Sequence, residues 1–252
     1  MMLHVEESGP EQAPLVVLVH GSMDRCAGFA RVARRLGHLR VVRYDRRGYG
    51  RSRPHDGPFG MDQQVADLLD VLAGRKAVLV GHSYGGNIAM ATAARHPRSV
   101  RAVGTYESPL SWLDWWPSST AGTRAVADSR VGGAEEAGEQ FLRRMLGGRR
   151  WEGLPERTKH DRRAEGVALV GELADLKANP PWAPGDIHVP VVVGCGELSR
   201  AHHRSAATWI AEHVPGADFV EFADAHHGAH LSHPAEFAAF VEHTVARVGE
   251  HS

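Results

Sequence analysis

Short apolar runs of strand length recur along the chain and alternate with helix-prone segments. The runs span residues 15–19, 39–44, 77–80, 100–106, 189–193 and 218–222. Strands that alternate with helices are typical of a parallel sheet whose two faces are both covered. The sequence therefore predicts an α/β fold built on a mostly parallel, doubly wound sheet.

The alternation breaks between residues 108 and 184. Tryptophans, glycine pairs and the run NPPW at 179–182 interrupt it, while helix-like pieces remain around 134–146 and 158–177. A chain of 252 residues is long enough for one domain with an insertion. We therefore predict a core formed by residues 1–107 and 185–252. Residues 108–184 are predicted to form a helical cap over the edge where the strands end.

Charge and composition favour a small molecule as the partner. The chain has 29 Lys plus Arg against 30 Asp plus Glu, so its balance gives no reason to expect nucleic acid or an anionic membrane. The first residues lack a basic and apolar leader pattern, and no apolar run approaches the ~20 residues that span a bilayer. The two cysteines, Cys26 and Cys195, lack a Cys-x-x-Cys spacing. These features predict a cytoplasmic protein with reduced thiols.

A serine lies between small residues where an apolar run meets a helical one. The stretch GHSYGG at 81–86 follows the run that ends at Val80 and precedes an alanine-rich, helix-prone segment that Pro97 ends. Ser83 is therefore predicted on a sharp strand-to-helix turn, which needs neighbours without bulky side chains. Such a turn presents the hydroxyl to solvent or substrate.

Two further loops with polar residues follow predicted strands, HGSMD at 20–24 and GCGE at 194–197. The carboxyl ends of parallel strands meet at one edge of the sheet, so we expect these loops near Ser83. A serine nucleophile needs a histidine base, and that histidine needs a partner to fix its tautomer. Among 17 histidines, His227 follows a predicted strand and precedes a predicted helix, which places it at the same edge.

The HHGAHLSH segment at 226–233 also offers a metal-binding alternative through His226, His227, His230 and His233. Gly228 and Pro234 argue against one continuous helix that presents all four, and no cysteine lies nearby in sequence. We therefore predict no metal and no cofactor.

Five segments together resemble the α/β-hydrolase superfamily, specifically its esterase, lactonase and carbon–carbon hydrolase branch with a mobile cap. They are LVVLVHGSMD, RYDRRGYGRS, VLVGHSYGG, PVVVGCGEL and HHGAHLSHPAEF, and they cover nearly the whole chain outside the insertion. The order Ser83, Glu197, His227 matches the family order of nucleophile, acid and base. The resemblance implies that RYDRRGYGRS is a structural turn.

The sequence departs from the family pattern at the acid and at the base. The family usually has aspartate where this chain has Glu197, and some members carry the acid after the neighbouring strand, which here gives Glu107. We favour Glu197 and keep Glu107 as the alternative. The histidine is usually preceded by glycine, whereas here it is preceded by His226, which remains an alternative to His227.

The resemblance also implies an oxyanion hole and a pocket. Two backbone N–H groups suffice for the hole, and they are assigned to Tyr84 and Ser22, with Met23 as the next candidate. Met23, Trp112 and Trp115 are predicted to line the substrate pocket, although the tryptophans could equally pack the base of the cap.

These residues predict a serine hydrolase that cleaves an ester, thioester or lactone bond of a small, largely apolar substrate through an acyl-enzyme. Cleavage of a carbon–carbon bond by the same triad is one alternative. A small-molecule receptor with residual hydrolase activity is another, since an intact triad does not exclude it.

Overall fold

The computed structural model describes residues 3–249, and a seven-stranded sheet forms its centre. The strands are β1 (Val5–Ser8), β2 (Leu15–Val19), β3 (Arg40–Tyr44), β4 (Ala77–His82), β5 (Val100–Tyr106), β6 (Val191–Gly196) and β7 (Asp218–Phe222). The six predicted strands are all present. Strand β1 was not predicted, because its four residues are mostly exposed and carry no apolar run.

The strand order is β1-β3-β2-β4-β5-β6-β7, and only β1 is antiparallel to its neighbour. The predicted α/β class with a mostly parallel sheet is therefore confirmed. Strand β3 lies on one side of β2, whereas β4 and all later strands lie on the other side. The order of the strands therefore reverses between β2 and β4, which pair in parallel. Ligand sites in such sheets lie outside the carboxyl ends of the strands at this reversal. Strand β4 leads directly to Ser83 there.

Helices cover both faces of the sheet, as the buried runs of β2, β4 and β6 require. One face carries α2 (Met61–Leu72), α3 (Tyr84–Arg95) and α8 (Ala201–His213), whose apolar residues share one core cluster with the sheet. The other face carries the short α1 (Ala30–Ala33) and α10 (Pro234–Ala246), which build a second cluster. A four-residue helix, α9 (Ala229–Ser232), precedes α10.

Four helices lie between β5 and β6, in the segment predicted to be a cap. They are α4 (Ala121–Leu146), α5 (Gly148–Glu152), α6 (Glu156–Ala164) and α7 (Gly166–Ala178). A positive φ of 82° at Gly133 divides α4 into two parts, so the helix predicted from residue 134 is its second part. The single helix predicted for 158–177 is two helices, which Glu165 separates. Gly166, the first residue of α7, packs so closely on the Ala134 backbone that a Cβ would overlap it. The boundaries 108 and 184 stay a prediction.

No helix in the described part of the chain combines the length and hydropathy that crossing a bilayer requires. Both cysteines are buried free thiols. Burial, followed by nearby carboxylates, raises the pKa of Cys26 and of Cys195 to about 12, so both thiols stay protonated at neutral pH.

Candidate active site

Ser83 lies on the strand-to-helix turn that the sequence predicts, between β4 and α3. Its backbone has φ 55° and ψ −124°, a conformation that costs a non-glycine residue about 1–3 kcal/mol. The Ser83 N–H donates to the Tyr106 carbonyl over 2.8 Å, and the Gly86 N–H donates to the Ser83 carbonyl over 2.9 Å. A side chain at Gly85 would overlap the backbone of β2, which explains the glycine there. The turn is therefore held from both sides in a strained form.

His227 lies in the loop between β7 and α9, and its partner is Glu107. The Nδ1 atom of His227 is 2.7 Å from Oε2 of Glu107. A carboxylate only accepts, so Nδ1 carries the proton of the neutral ring and Nε2 keeps its lone pair. Among residues 3–249, no hydrogen bond joins the Ser83 hydroxyl to His227 in this conformation. Catalytic hydrogen bonds often tighten only when substrate is bound.

Glu107 is fully buried at the end of β5 and is held on both carboxylate oxygens. Its Oε1 accepts from the Gly196 N–H over 2.8 Å and from the Ser199 hydroxyl. Burial raises the pKa of Glu107. The hydrogen bond and charge of His227, together with the hydrogen bonds from Ser199 and Gly196, outweigh burial and lower this pKa overall. The carboxyl group is therefore ionised at neutral pH.

The predicted contact between Glu197 and His227 is wrong, and the Glu107 alternative is the one that the structure contains. The Glu197 N–H donates to Phe222 O over 3.0 Å, which continues the β6–β7 pairing beyond the strand. Its exposed side chain accepts from the Asp224 N–H over 3.1 Å. Glu107 instead has a left-handed backbone conformation, with φ 49°, and its carboxylate faces the loop that contains His227.

His226 is exposed, and its Nδ1 lies 2.7 Å from the carbonyl of Leu198. It therefore does not occupy the position of His227. The four histidines of the 226–233 segment also do not converge, since His230 pairs with Asp24 and His233 contacts Ser232. The metal site considered for that segment is not formed.

Other histidines surround His227, and the sequence did not predict them. His203, from α8, stacks on the His227 ring with centroids 4.2 Å apart and planes 18° apart. His82 packs against it at 4.6 Å and lies 2.8 Å, through Nε2, from the His227 carbonyl. Burial first, and then neighbouring histidines, holds the pKa of His82 and of His203 well below the usual range. Both rings are therefore neutral beside His227.

The predicted oxyanion-hole residues flank Ser83. Tyr84 is the first residue of α3, where backbone N–H groups have no acceptor within the helix. The loop that carries Ser22 approaches closely, since a Cβ on Gly21 would lie 3.0 Å from the Ser83 Cβ. Met23, in the same loop, has φ 56°. The arrangement brings the Tyr84 and Ser22 backbones to the side of the serine, and their assignment as oxyanion donors stays a prediction.

A buried polar network ties α7 to the loop after β3, and the sequence did not reveal it. Glu172 and Arg46 are both fully buried and form an ion pair of 2.7 Å. The hydroxyls of Tyr49 and Ser22 also donate to Glu172, over 2.7 and 2.5 Å. The predicted structural turn RYDRRGYGRS therefore anchors a helix of the inserted segment beside the oxyanion loop.

The three residues predicted to line the pocket lie in different environments. Met23 is 5% exposed and packs in a cluster with Tyr49 and inserted helices. Trp112 packs edge-on against Trp182, with ring centroids 5.5 Å apart. Trp115 is 42% exposed and lines a surface groove of about 360 Å³ that contains none of Ser83, His227 and Glu107. The prediction that Trp115 lines a pocket at Ser83 is therefore not supported by its position.

A cavity of about 560 Å³ also lies away from Ser83. It is lined by charged residues of β1, the loops after β2 and β3, and the inserted segment.

The sheet, the strained serine turn and the buried carboxylate–histidine pair define an α/β-fold, esterase-like hydrolase. Residues 16–240 match the sequence model of the alpha/beta hydrolase family, and the chain belongs to that family. It is 34% identical to a pimeloyl-[acyl-carrier protein] methyl ester esterase of Chromobacterium violaceum over 260 aligned residues, covering 96% of this chain and 98% of that protein.

Two other proteins illustrate the range of relatives. The crystal structure of an enol-lactonase from Burkholderia xenovorans LB400 has a TM-score of 0.76 and 26% identity, covering 97% of this chain and 96% of that one. A 2-hydroxy-6-oxo-2,4-heptadienoate hydrolase of Pseudomonas putida is 40% identical over 96 residues, which is 35% of each chain.

Proposed function

We propose that this hydrolase cleaves an ester, thioester or lactone bond of a small, largely apolar substrate through a covalent acyl-serine. The observation that carries the proposal is the hydrogen bond between His227 and the buried Glu107, at the sheet edge where Ser83 follows β4. A serine hydroxyl is a poor nucleophile unless an oriented base accepts its proton.

In the proposed reaction, Ser83 Oγ attacks the carbonyl carbon while His227 Nε2 takes the hydroxyl proton. The negative oxygen of the tetrahedral intermediate accepts hydrogen bonds from the Tyr84 and Ser22 backbone N–H groups. When the bond to the leaving group breaks, His227 returns the proton to that group. Water then attacks the acyl-serine by the same route, which releases the acid and restores Ser83.

Glu107 orients the His227 ring in this scheme and stabilises its cation, while remaining ionised itself. Its lowered pKa supports the role, because the carboxylate is charged whenever His227 acts. His203 and His82 are kept neutral by burial, so they add no positive charge that would oppose protonation of His227.

The relatives support the substrate class. The methyl ester esterase matches over nearly the full length of both chains, and the enol-lactonase matches in fold over nearly the full length of both. Ester and lactone hydrolysis both break a carbon–oxygen acyl bond. Carbon–carbon bond hydrolysis by the same residues is the second candidate, because a dienoate hydrolase shares 40% identity over 96 residues.

The test is steady-state turnover of p-nitrophenyl acetate and butyrate, with Ser83→Ala as the control. Many turnovers that Ser83→Ala abolishes would support the esterase. A single burst of about one equivalent without turnover would favour a receptor-like protein, and release only from a vinylogous diketone would favour the carbon–carbon hydrolase. No reaction with any of these probes would contradict the proposal.

A further inference from the structure

Three potential metal ligands meet beside the oxyanion loop, outside the proposed triad. They are Asp24, in the turn after β2, His82, the last residue of β4, and His230, in α9. The Nε2 atom of His230 lies 2.9 Å from Oδ2 of Asp24. One ligand atom from each residue lies within 4.8 Å of the other two.

Both histidines present a nitrogen without a partner. His82 is 6% exposed, and its Nε2–H donates to the His227 carbonyl over 2.8 Å, which leaves a lone pair on Nδ1. This Nδ1 is buried and makes no hydrogen bond within residues 3–249. The Nδ1 of His230, which is 2% exposed, is likewise buried without a partner. Buried polar atoms are almost always satisfied, so the free Nδ1 lone pair of His82 is available to a ligand.

The charges of the cluster favour a cation. The Asp24 carboxylate accepts from the Arg25 backbone N–H over 2.8 Å, and its ion-pair partner is His230. The cluster therefore combines one carboxylate with two imidazoles, a ligand set that suits a divalent cation.

We propose that Asp24, His82 and His230 form a binding site for a divalent transition-metal ion such as Zn²⁺. One carboxylate oxygen and two imidazole nitrogens are ligands that zinc uses in proteins, at about 2.0–2.2 Å. A four-coordinate ion at these lengths holds its ligand atoms about 3.3 Å apart, so an ion bound by Asp24 Oδ2 and His230 Nε2 replaces their hydrogen bond and separates the two atoms slightly.

The surroundings supply the other features of such a site. The hydrogen bond from His82 to a backbone carbonyl is the usual support for a metal-ligating histidine, because it fixes the tautomer that presents the free nitrogen. The Asp24 side chain remains 22% exposed, so it offers an approach for the ion and room for a water ligand.

A metal here would join three segments that carry the proposed catalytic groups. Asp24 follows Ser22, His82 precedes Ser83, and His230 follows His227 in the same short segment. The ion would stabilise the native state by mass action, since the unfolded chain has no preformed site. The inference concerns binding and does not depend on the proposed ester hydrolysis.

The first test is zinc titration of the full chain against a chromogenic chelator, with thermal unfolding in parallel. We expect one tight equivalent and a rise in Tm of about 5–10 °C when free zinc is a hundred times its dissociation constant. Asp24→Asn and His230→Gln should each weaken binding by about a hundredfold or more.

His203→Gln is the matched control. His203 also has a buried Nδ1 without a partner, but it belongs to a separate cluster with Glu107 and His227. Wild-type affinity in Asp24→Asn and His230→Gln, with a loss in His203→Gln, would overturn the assignment. Unchanged zinc affinity in all three variants would also overturn the assignment, and it would indicate that zinc binds to histidines on the surface.

Crystals of the wild-type protein soaked in zinc chloride test the position directly and do not depend on how the variants fold. We expect an anomalous peak at about 2.0–2.2 Å from an Asp24 oxygen and from nitrogens of His82 and His230. A buried water at the unpartnered nitrogens, or zinc only at other histidines, would contradict the proposal.

Discussion

Oε2 of Glu107 lies 2.7 Å from Nδ1 of His227 and joins the end of β5 to the loop after β7. The two residues are far apart in sequence, and strand β6 lies between their strands in the sheet. The Gly196 N–H, at the end of β6, donates to the other oxygen of the same carboxylate. The ends of three neighbouring strands therefore fix the orientation of one imidazole.

The first prediction compares Glu107→Gln with Glu197→Gln. Glutamine keeps the shape of Glu107 but allows the wrong tautomer of His227, so kcat on a p-nitrophenyl ester should fall by about 10⁴-fold. Glu197 is exposed and contacts the Asp224 N–H, so its variant should keep near-normal kcat. The reverse pattern would assign the acid to Glu197.

The second prediction concerns stability at acid pH. The folded state lowers the pKa of Glu107 below its ordinary value of 4.5, despite burial, because His227 and other donors bind the carboxylate. Its ionisation therefore stabilises the fold fully above about pH 4.5, and this contribution is lost as pH falls through the lower folded pKa.

Urea unfolding of the wild-type protein and Glu107→Gln between pH 3 and 7 measures this contribution. The difference in unfolding free energy should be constant above about pH 5 and shrink below pH 4.5. A difference that grows as the pH falls would show that the folded state raises the pKa instead.

The third prediction is that Glu172→Gln destabilises the protein by about 3–5 kcal/mol, because it leaves the fully buried Arg46 without a counter-charge. Asp62→Asn is the matched control. It breaks the ion pair with Arg95 on the surface, where Asp62 is 80% exposed, and should cost less than about 1 kcal/mol. Similar losses from the two variants in urea unfolding would mean that the buried pair does not anchor α7.

The fourth prediction concerns strain at the serine turn. Ser83→Gly should be more stable than Ser83→Ala by about 1 kcal/mol, since glycine tolerates φ 55° and alanine does not. Glycine normally costs stability because it loses more backbone entropy than alanine, so the order is diagnostic. Equal or greater stability of Ser83→Ala would show that the turn is not strained.

The sequence predicted the sheet well because its strands are buried on both faces and read as apolar runs. It also placed Ser83 on its turn, because a small-residue motif between a strand and a helix has few other conformations. Strand β1 was not predicted, because an exposed edge strand has no apolar run in its sequence.

The partner of His227 could not be selected from the sequence. Both Glu107 and Glu197 follow strands at the same edge, and the resemblance to the family pattern favoured Glu197. The choice depends on the left-handed turn at Glu107 and on donors from Gly196 and Ser199, which only the folded chain brings together. Glu172 and Arg46 were missed for the same reason, because a buried ion pair between distant segments has no local signal.

Labelling by a fluorophosphonate tests the central claim, that His227 oriented by Glu107 activates Ser83, most directly. Intact mass and peptide mapping should show one phosphonyl group per chain, on the peptide that contains Ser83. The labelling rate should fall about 10²–10⁴-fold in His227→Gln, because the base is lost. A label on another residue, or an unchanged rate in His227→Gln, would contradict the claim.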